Sequence, residues 1–157
     1  MANDAMRIVT RALAGPEDTQ AAGEALAGQL RPGDVLMLEG GLGAGKTTLA
    51  RGLLRGLGFT GDVPSPTFAI LQGYEPPETA LPLAHVDLYR IEEEGELEEL
   101  GLDDWLSEGV LVIEWPDRLG GRYAGNALAL TIEPSGEGGR VLTARLPRSW
   151  ESRWPFP

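Results

Sequence analysis

The chain has no cysteine, a single histidine, His85, and a single lysine, Lys46. Each scarcity excludes something. Without cysteine there are no disulfides and no thiolate metal sites. No window approaches the ~20 apolar residues of a membrane-spanning helix, so no membrane role is expected. Positive charge is short as well: 13 basic residues face 24 acidic ones, for a formal net charge of −11. A chain so poor in Lys and Arg is a poor holder of a nucleic-acid backbone, because phosphate contacts need clustered cations. Any role near RNA should therefore run through a protein partner. The N-terminal stretch Met1-Ala2-Asn3-Asp4-Ala5 has neither a basic n-region nor an apolar h-region, so no signal peptide is read and a cytoplasmic location is the expectation. At 157 residues the chain suits one domain, residues 1–157, large enough to bury about 68–70% of its unfolded surface.

What is present is concentrated around the one lysine. Lys46 stands in Gly40-Gly41-Leu42-Gly43-Ala44-Gly45-Lys46-Thr47, a complete P-loop, while the other twelve basic residues are all arginine. A compact ammonium on a thin stem reaches between two phosphates; a wide planar guanidinium does so badly. Gly40, Gly43 and Gly45 can take backbone angles closed to other residues, which turns successive N–H groups inward around phosphate oxygens. Lys46 would neutralise the β/γ phosphates and the Thr47 hydroxyl would ligate Mg2+. The flanks agree. Val35-Leu36-Met37-Leu38 reads as a buried parallel strand, and Thr48 to Leu57 spaces leucines at helical intervals, so a helix dipole points at the loop.

Elsewhere the pattern alternates strands and helices. An edge strand is expected over Met6–Ala12, and a helix from the Gly15-Pro16-Glu17-Asp18 entry through Ala21, Ala22, Leu26 and Leu30. Gly61 to Phe68 must be extended, since each proline pushes its predecessor out of the α region. Strands are expected at Ala69-Ile70-Leu71 and Leu81–Asp87 around Pro76-Pro77, and one helix over Glu96–Ser107 with Leu97, Leu100 and Trp105 or Leu106 inward. Val110-Leu111-Val112-Ile113 is a strand covered on both faces. Ala127–Glu133 and Arg140–Leu146 form a hairpin across Gly136-Glu137-Gly138-Gly139. The tail from Trp150 to Pro157 either packs on the surface or stays mobile. Six acids fall within Glu92–Glu99, readable as a solvated helix start or as a docking surface for a basic partner.

Nucleotide hydrolysis on a P-loop needs an acid at the end of a neighbouring strand to help hold Mg2+, and a group that orients the attacking water. Asp87 and Glu114 both qualify. Pattern alone favours Glu114 slightly, because it ends the more uniformly apolar strand; an ordinary charge at a strand terminus is the plainer reading of each. Thr67 sits on the loop where related hydrolases put a switch threonine that senses the γ-phosphate through Mg2+. His85 shares a strand face with Asp87, where it would steady a phosphate or a carboxylate, or serve as a hydrogen-bonded structural residue.

Taken together, Leu42 to Thr48, Ser65-Pro66-Thr67-Phe68, His85-Val86-Asp87-Leu88-Tyr89-Arg90, the stretch from Glu96-Leu97 to Gly101-Leu102, and Val112-Ile113-Glu114-Trp115-Pro116 resemble the TsaE family. These are the bacterial P-loop ATPases of tRNA threonylcarbamoyladenosine biosynthesis. The resemblance covers most of the chain, and its one visible departure is Gly41, where the family usually has an acid. It implies an α/β fold: a P-loop NTPase-type sheet, largely parallel with antiparallel additions, flanked by helices. It further implies ATP phosphates at Gly40, Gly41, Leu42, Gly43, Ala44, Gly45, Lys46, Thr47 and Thr48, and Mg2+ near Thr47 and Glu114. Asp87 would be the acid of the Walker B type, Thr67 the switch, and Trp115 a neighbour of the site; which of Asp87 and Glu114 ligates the metal directly stays open. By the same resemblance the chain is a motor that binds TsaB and TsaD and hydrolyses ATP to let that complex turn over, with tRNA held by others. A small-molecule kinase is the alternative, although it needs an acceptor pocket and usually an arginine-rich lid, and the segment after Arg90 is acidic. A GTPase would need a guanine motif with a second lysine. A binding module without turnover would make Asp87 and Glu114 irrelevant to metal.

Overall fold

Continuous apolar runs become strands when both of their faces are covered. In the computed structural model, which describes residues 7–41, 45–64, 70–136 and 138–156, the two runs ending in Asp87 and Glu114 are strands with every residue buried. In chain order the elements are β1 (Arg7–Leu13), α1 (Pro16–Ala27), β2 (Val35–Glu39), α2 (Lys46–Gly56), β3 (Leu71–Tyr74), β4 (Leu83–Asp87), α3 (Glu94–Glu99), α4 (Leu102–Glu108), β5 (Val110–Glu114), β6 (Leu128–Pro134), β7 (Arg140–Leu146) and α5 (Arg148–Glu151), with a 3-10 turn at Pro116–Leu119 between β5 and β6. The strands form one sheet in the order β1-β7-β6-β2-β5-β4-β3. Its centre, β6, β2, β5 and β4, is parallel, and antiparallel strands extend it at both ends. This is the expected α/β sheet with antiparallel additions.

Successive side chains on a strand point to opposite faces, and the core divides accordingly. Leu36, Leu38, Val110 and Val112 pack with Leu26 of α1 and Leu49, Leu53 and Leu54 of α2, whereas Val35, Leu111 and Ile113 pack with Leu97 of α3, Leu102 of α4 and Leu119. The sheet is thus covered on both faces. Among the described residues no helix is long and apolar enough to cross a membrane.

Three local expectations change. The single helix read over Glu96–Ser107 is two helices, because Gly101 takes the left-handed conformation at φ 67° and caps α4. That break lets Leu97 and Leu102, on separate axes, both reach the same cluster, while Leu100, Trp105 and Leu106 are only partly buried against it. The strand expected at Ala69-Ile70-Leu71 begins at Leu71, with Ala69 outside the described residues. The tail is neither loose nor superficial as far as Arg153. Trp150 is fully buried, and the Arg153 guanidinium grips both Asp34 carboxylate oxygens at 2.8 and 3.0 Å and the Gln29 carbonyl at 2.7 Å. A bidentate charged pair of this kind is among the stronger hydrogen-bonding arrangements, and it pins the C-terminal segment to the turn that feeds β2.

Helices α1 and α2 approach so closely that side chains are excluded from the seam. A Cβ added at Gly23 would stand 2.4 Å from the Leu49 carbonyl oxygen, and one at Gly52 would stand 2.2 Å from that of Gln20. On an open helix, glycine to alanine gains about 1 kcal/mol of propensity. Here the neighbour is backbone and cannot rotate aside, and overpacking typically costs about 1–3 kcal/mol. Gly52→Ala should therefore lower stability, against the propensity trend. Urea unfolding followed by circular dichroism tests this, and a midpoint at or above that of the unsubstituted chain would mean that the two helices part freely.

Candidate functional site

Parallel strands bring their C-terminal ends to one edge of the sheet, where ligands of open α/β folds bind. Here that edge carries the only lysine. β2 ends at Glu39, Gly40 turns the chain at φ 147°, and Gly45, at φ 116°, sits as the cap before α2. Both glycines occupy the left-handed half of φ space that a side chain would strain. Lys46 opens the helix, with Thr47 and Thr48 following, half-buried, in its first turn. Leu42, Gly43, Ala44 and Thr67 lie outside the described residues.

Lys46 is 6% exposed, and its ammonium is enclosed by specific partners. Nζ donates to the Gly40 carbonyl at 2.8 Å, lies 3.8 Å from Glu114 Oε1, and sits 4.5 Å from the centre of the Trp115 ring. An indole face attracts a cation through its quadrupole. Trp115 is placed there by its own backbone: φ is 61°, a left-handed conformation that a bulky residue rarely takes and that here turns the ring back over the lysine. The Tyr89 ring stacks behind it, tilted, at 4.9 Å between centres. A cleft of about 290 Å³ opens at this point, bordered by Gly40, Gly41, Lys46, Trp115, Pro116 and Asp117. A side chain at position 41 would meet nothing within 4 Å, so the absence of an acid there is not forced by crowding.

The two strand-end acids are neighbours. The parallel register of β4 and β5 sets Asp87 beside Glu114 and His85 beside Val112. Asp87 Oδ1 accepts the Tyr89 N–H at 2.9 Å, which holds the chain as it leaves the strand. His85, fully buried, brings Nε2 to 2.7 Å from Glu114 Oε2, so of the roles read from sequence it is a carboxylate that this histidine steadies. Lys46, Asp87 and Glu114 are each no more than 7% exposed. Buried charge is expensive unless paired, and a stable apolar core needs none of these groups at a sheet edge. The expected residues Gly40, Gly45, Lys46, Asp87, Glu114 and Trp115 therefore meet at one place. Sequence reasoning passed over Tyr89, Asp117 and the Gly40 carbonyl as a lysine acceptor; the first two lay within or next to quoted motifs, but the third is a backbone atom without a sequence signal.

Comparison with known proteins decides the family. The profile described as Threonylcarbamoyl adenosine biosynthesis protein TsaE matches residues 13–142. The chain belongs to the TsaE family. It is 43% identical over 129 residues to the tRNA threonylcarbamoyladenosine biosynthesis protein TsaE of Bacillus subtilis, covering 82% of this chain and 79% of that one. Its identity to the TsaE protein of Streptomyces coelicolor is 52% over 94 residues, covering 59% of this chain and 64% of that one. The fold resembles the crystal structure of Bacillus subtilis YdiB with a TM-score of 0.79 at 32% identity, over 95% of this chain and 92% of that chain. TsaE membership ties this chain to threonylcarbamoyladenosine biosynthesis.

An indole's emission responds to a charge beside its ring, and Lys46 is the cation over Trp115. Lys46→Ala should therefore shift the tryptophan emission of the protein without nucleotide, and the shift should vanish in a Trp115→Phe background. An equal shift in both backgrounds would place the responding ring among Trp105, Trp150 and Trp154 instead.

Proposed function

We propose that the chain binds ATP with Mg2+ at this edge, hydrolyses it slowly, and acts in tRNA threonylcarbamoyladenosine modification as the ATPase component that serves the TsaB–TsaD complex in the cytoplasm. The observation that carries this reading is the single lysine, held after a glycine turn at a helix N-terminus, with Glu114 3.8 Å away and Asp87 beside Glu114 at the adjacent strand end. Each piece has a role. The helix start and the glycine turn offer backbone N–H groups to phosphate oxygens, and Lys46 would exchange Gly40 and Glu114 for the β/γ phosphates. A threonine hydroxyl and one or two carboxylates are the donor set that suits Mg2+ when phosphates complete its shell, and Thr47, Asp87 and Glu114 supply it. Bound Mg2+ would neutralise charge on the transferring phosphoryl group. Whichever acid does not face the metal would orient water. Trp115, with the Tyr89 ring against it, borders the cleft beside the lysine, and Thr67 would act as the switch.

An acidic chain is a poor holder of tRNA, which supports a division of labour in which tRNA is reached only through the partners. Within the acidic segment not every glutamate is free to dock: Glu96 Oε1 accepts the backbone N–H groups of Glu92 and Glu93 and so closes the capping box of α3. Glu99 and Glu98, the latter 3.7 Å from Arg122, are exposed and carry the docking proposal.

Calorimetric titration with ATP tests the binding half. Lys46→Ala should remove most affinity and Lys46→Arg should do nearly as badly, because the guanidinium fork cannot enter the loop; near-normal binding by Lys46→Arg would count against the reading. Asp87→Asn and Glu114→Gln should each abolish hydrolysis while leaving Mg2+-free ADP binding intact, and equal loss of ADP binding in both would make them structural. For the partner half, purified TsaB and TsaD should raise the hydrolysis rate, and the double reversal Glu98→Arg, Glu99→Arg should weaken association most at low salt, where exposed charges are least screened. Tight tRNA binding by the chain alone in a filter assay would overturn the division of labour.

A further inference from the structure

Glu114 is where the buried charges of the site converge, and its two carboxylate oxygens face different partners. Oε1 lies 3.8 Å from Lys46 Nζ, and Oε2 lies 2.7 Å from His85 Nε2. The partners differ in kind. Lys46 rides on the first turn of a helix behind a glycine loop, and its ammonium is the group that a phosphate would draw away. His85 sits in the middle of β4, fully buried, in a strand hydrogen-bonded on both sides to β3 and β5. A glutamate swings on three side-chain torsions, and only a partner that stays put can hold one orientation through a change of ligand.

We infer that His85 is a positioning residue for the reaction proposed above: by donating its Nε2–H to Oε2 it locks Glu114 with Oε1 turned toward the lysine and the phosphate-metal site. The inference rests on that functional reading. A carboxylate oxygen can only accept, so the ring hydrogen of this bond lies on Nε2. The other ring nitrogen, Nδ1, is buried and finds no partner among the described residues. An aliphatic side chain would fill the space and spare the unpartnered Nδ1, but it would leave the buried Glu114 Oε2 without its donor. The bond to Glu114 is what distinguishes imidazole at this position. Nor can another side chain on this face of β4 take the role. Leu83 is apolar, and Asp87, a carboxylate that itself accepts the Tyr89 N–H at 2.9 Å, has no hydrogen to offer. The register places His85 beside Val112, two residues short of Glu114 on the same face, so the imidazole reaches diagonally forward along the sheet to the acid and not across it.

Three variants of the full chain separate positioning from packing. His85→Leu removes the donor. His85→Gln carries an amide nitrogen near the place of Nε2. His85→Asn keeps an amide too short to reach Glu114. The first readout is the affinity of Mn2+ for the protein–ADP complex by electron paramagnetic resonance; the second is kcat and KM for ATP. Removing the partner that orients a metal ligand typically costs 10–100-fold in metal affinity or activity, so His85→Leu and His85→Asn should lose about that much in Mn2+ affinity and in kcat, with KM for ATP within about twofold and metal-free ADP binding unchanged. His85→Gln should recover most of both losses. Should His85→Leu fail to fold, the contrast between Gln and Asn carries the test by itself. Undiminished Mn2+ affinity and kcat in the Leu or Asn variant, or a Gln variant as impaired as the Asn variant, would overturn the inference. An unsubstituted chain that binds neither nucleotide nor metal would overturn the functional reading along with it, whereas normal binding by that chain and unaffected variants would sink the positioning role alone.

Discussion

An ammonium and a carboxylate buried together at the end of a sheet set the terms for everything around them. Lys46 and Glu114 are 6% and 5% exposed, and neither could stand there alone, because removing one partner of a buried pair strands the other as an uncompensated charge. The pair needs β2 and β5 side by side in parallel register, so that a helix entered from one strand faces the acid that ends the other. It also needs Gly45 in the left-handed region to start α2 at the right place, and Trp115 in the same region to close over the ammonium. An apolar arrangement would be cheaper. What the buried pair offers instead is a cation and an anion held apart from water, which under the proposed function would exchange each other for phosphate and metal.

The scaffold that carries this pair is stiffened from behind. Because Gly23 and Gly52 let α1 and α2 touch at the backbone, the helix that Lys46 opens is braced by a second helix. At the opposite end of β2, Arg153 fastens the C-terminal segment to Asp34 and stacks over Trp150 at 4.1 Å. Both ends of the strand that feeds the glycine turn are thus anchored, one by close packing and one by a buried ion pair.

The loop that leaves the site has its own attachments on the other face of the sheet. After Trp115 and the 3-10 turn, Tyr123 donates its hydroxyl to Asp103 at the start of α4, and Arg122 lies 3.7 Å from Glu98 on α3. Burial, then the Asp103 hydrogen bond and its charge, push the Tyr123 phenol up to about 12, so it remains a donor throughout the neutral range. The segment that begins at the lysine's aromatic cover therefore ends against the acidic helices.

The sequence by itself determined the glycine-rich lysine motif, the two strand-end acids, the buried strands and the family, because these depend on residue type and local spacing: a lone lysine among glycines, apolar runs too long for a half-exposed strand, punctuation by glycine and proline. It also placed His85 on the face of Asp87, by the two-residue period of a strand. What it did not contain were relations between distant segments. Periodicity reads straight through Gly101, since leucines on both sides suit one helix; only the left-handed turn there splits it so that Leu97 and Leu102 reach the same core. The tail read as either packed on the surface or mobile because no local pattern fixed its place, yet Arg153 finds Asp34, 119 residues earlier. The choice of Glu114 as partner for both Lys46 and His85 likewise came from the tertiary structure, through the parallel register of β4 and β5 and the helix that β2 feeds. Side-chain bonds across strands are fixed by which strands become neighbours, and that order is decided by packing the whole sheet between its two layers of helices.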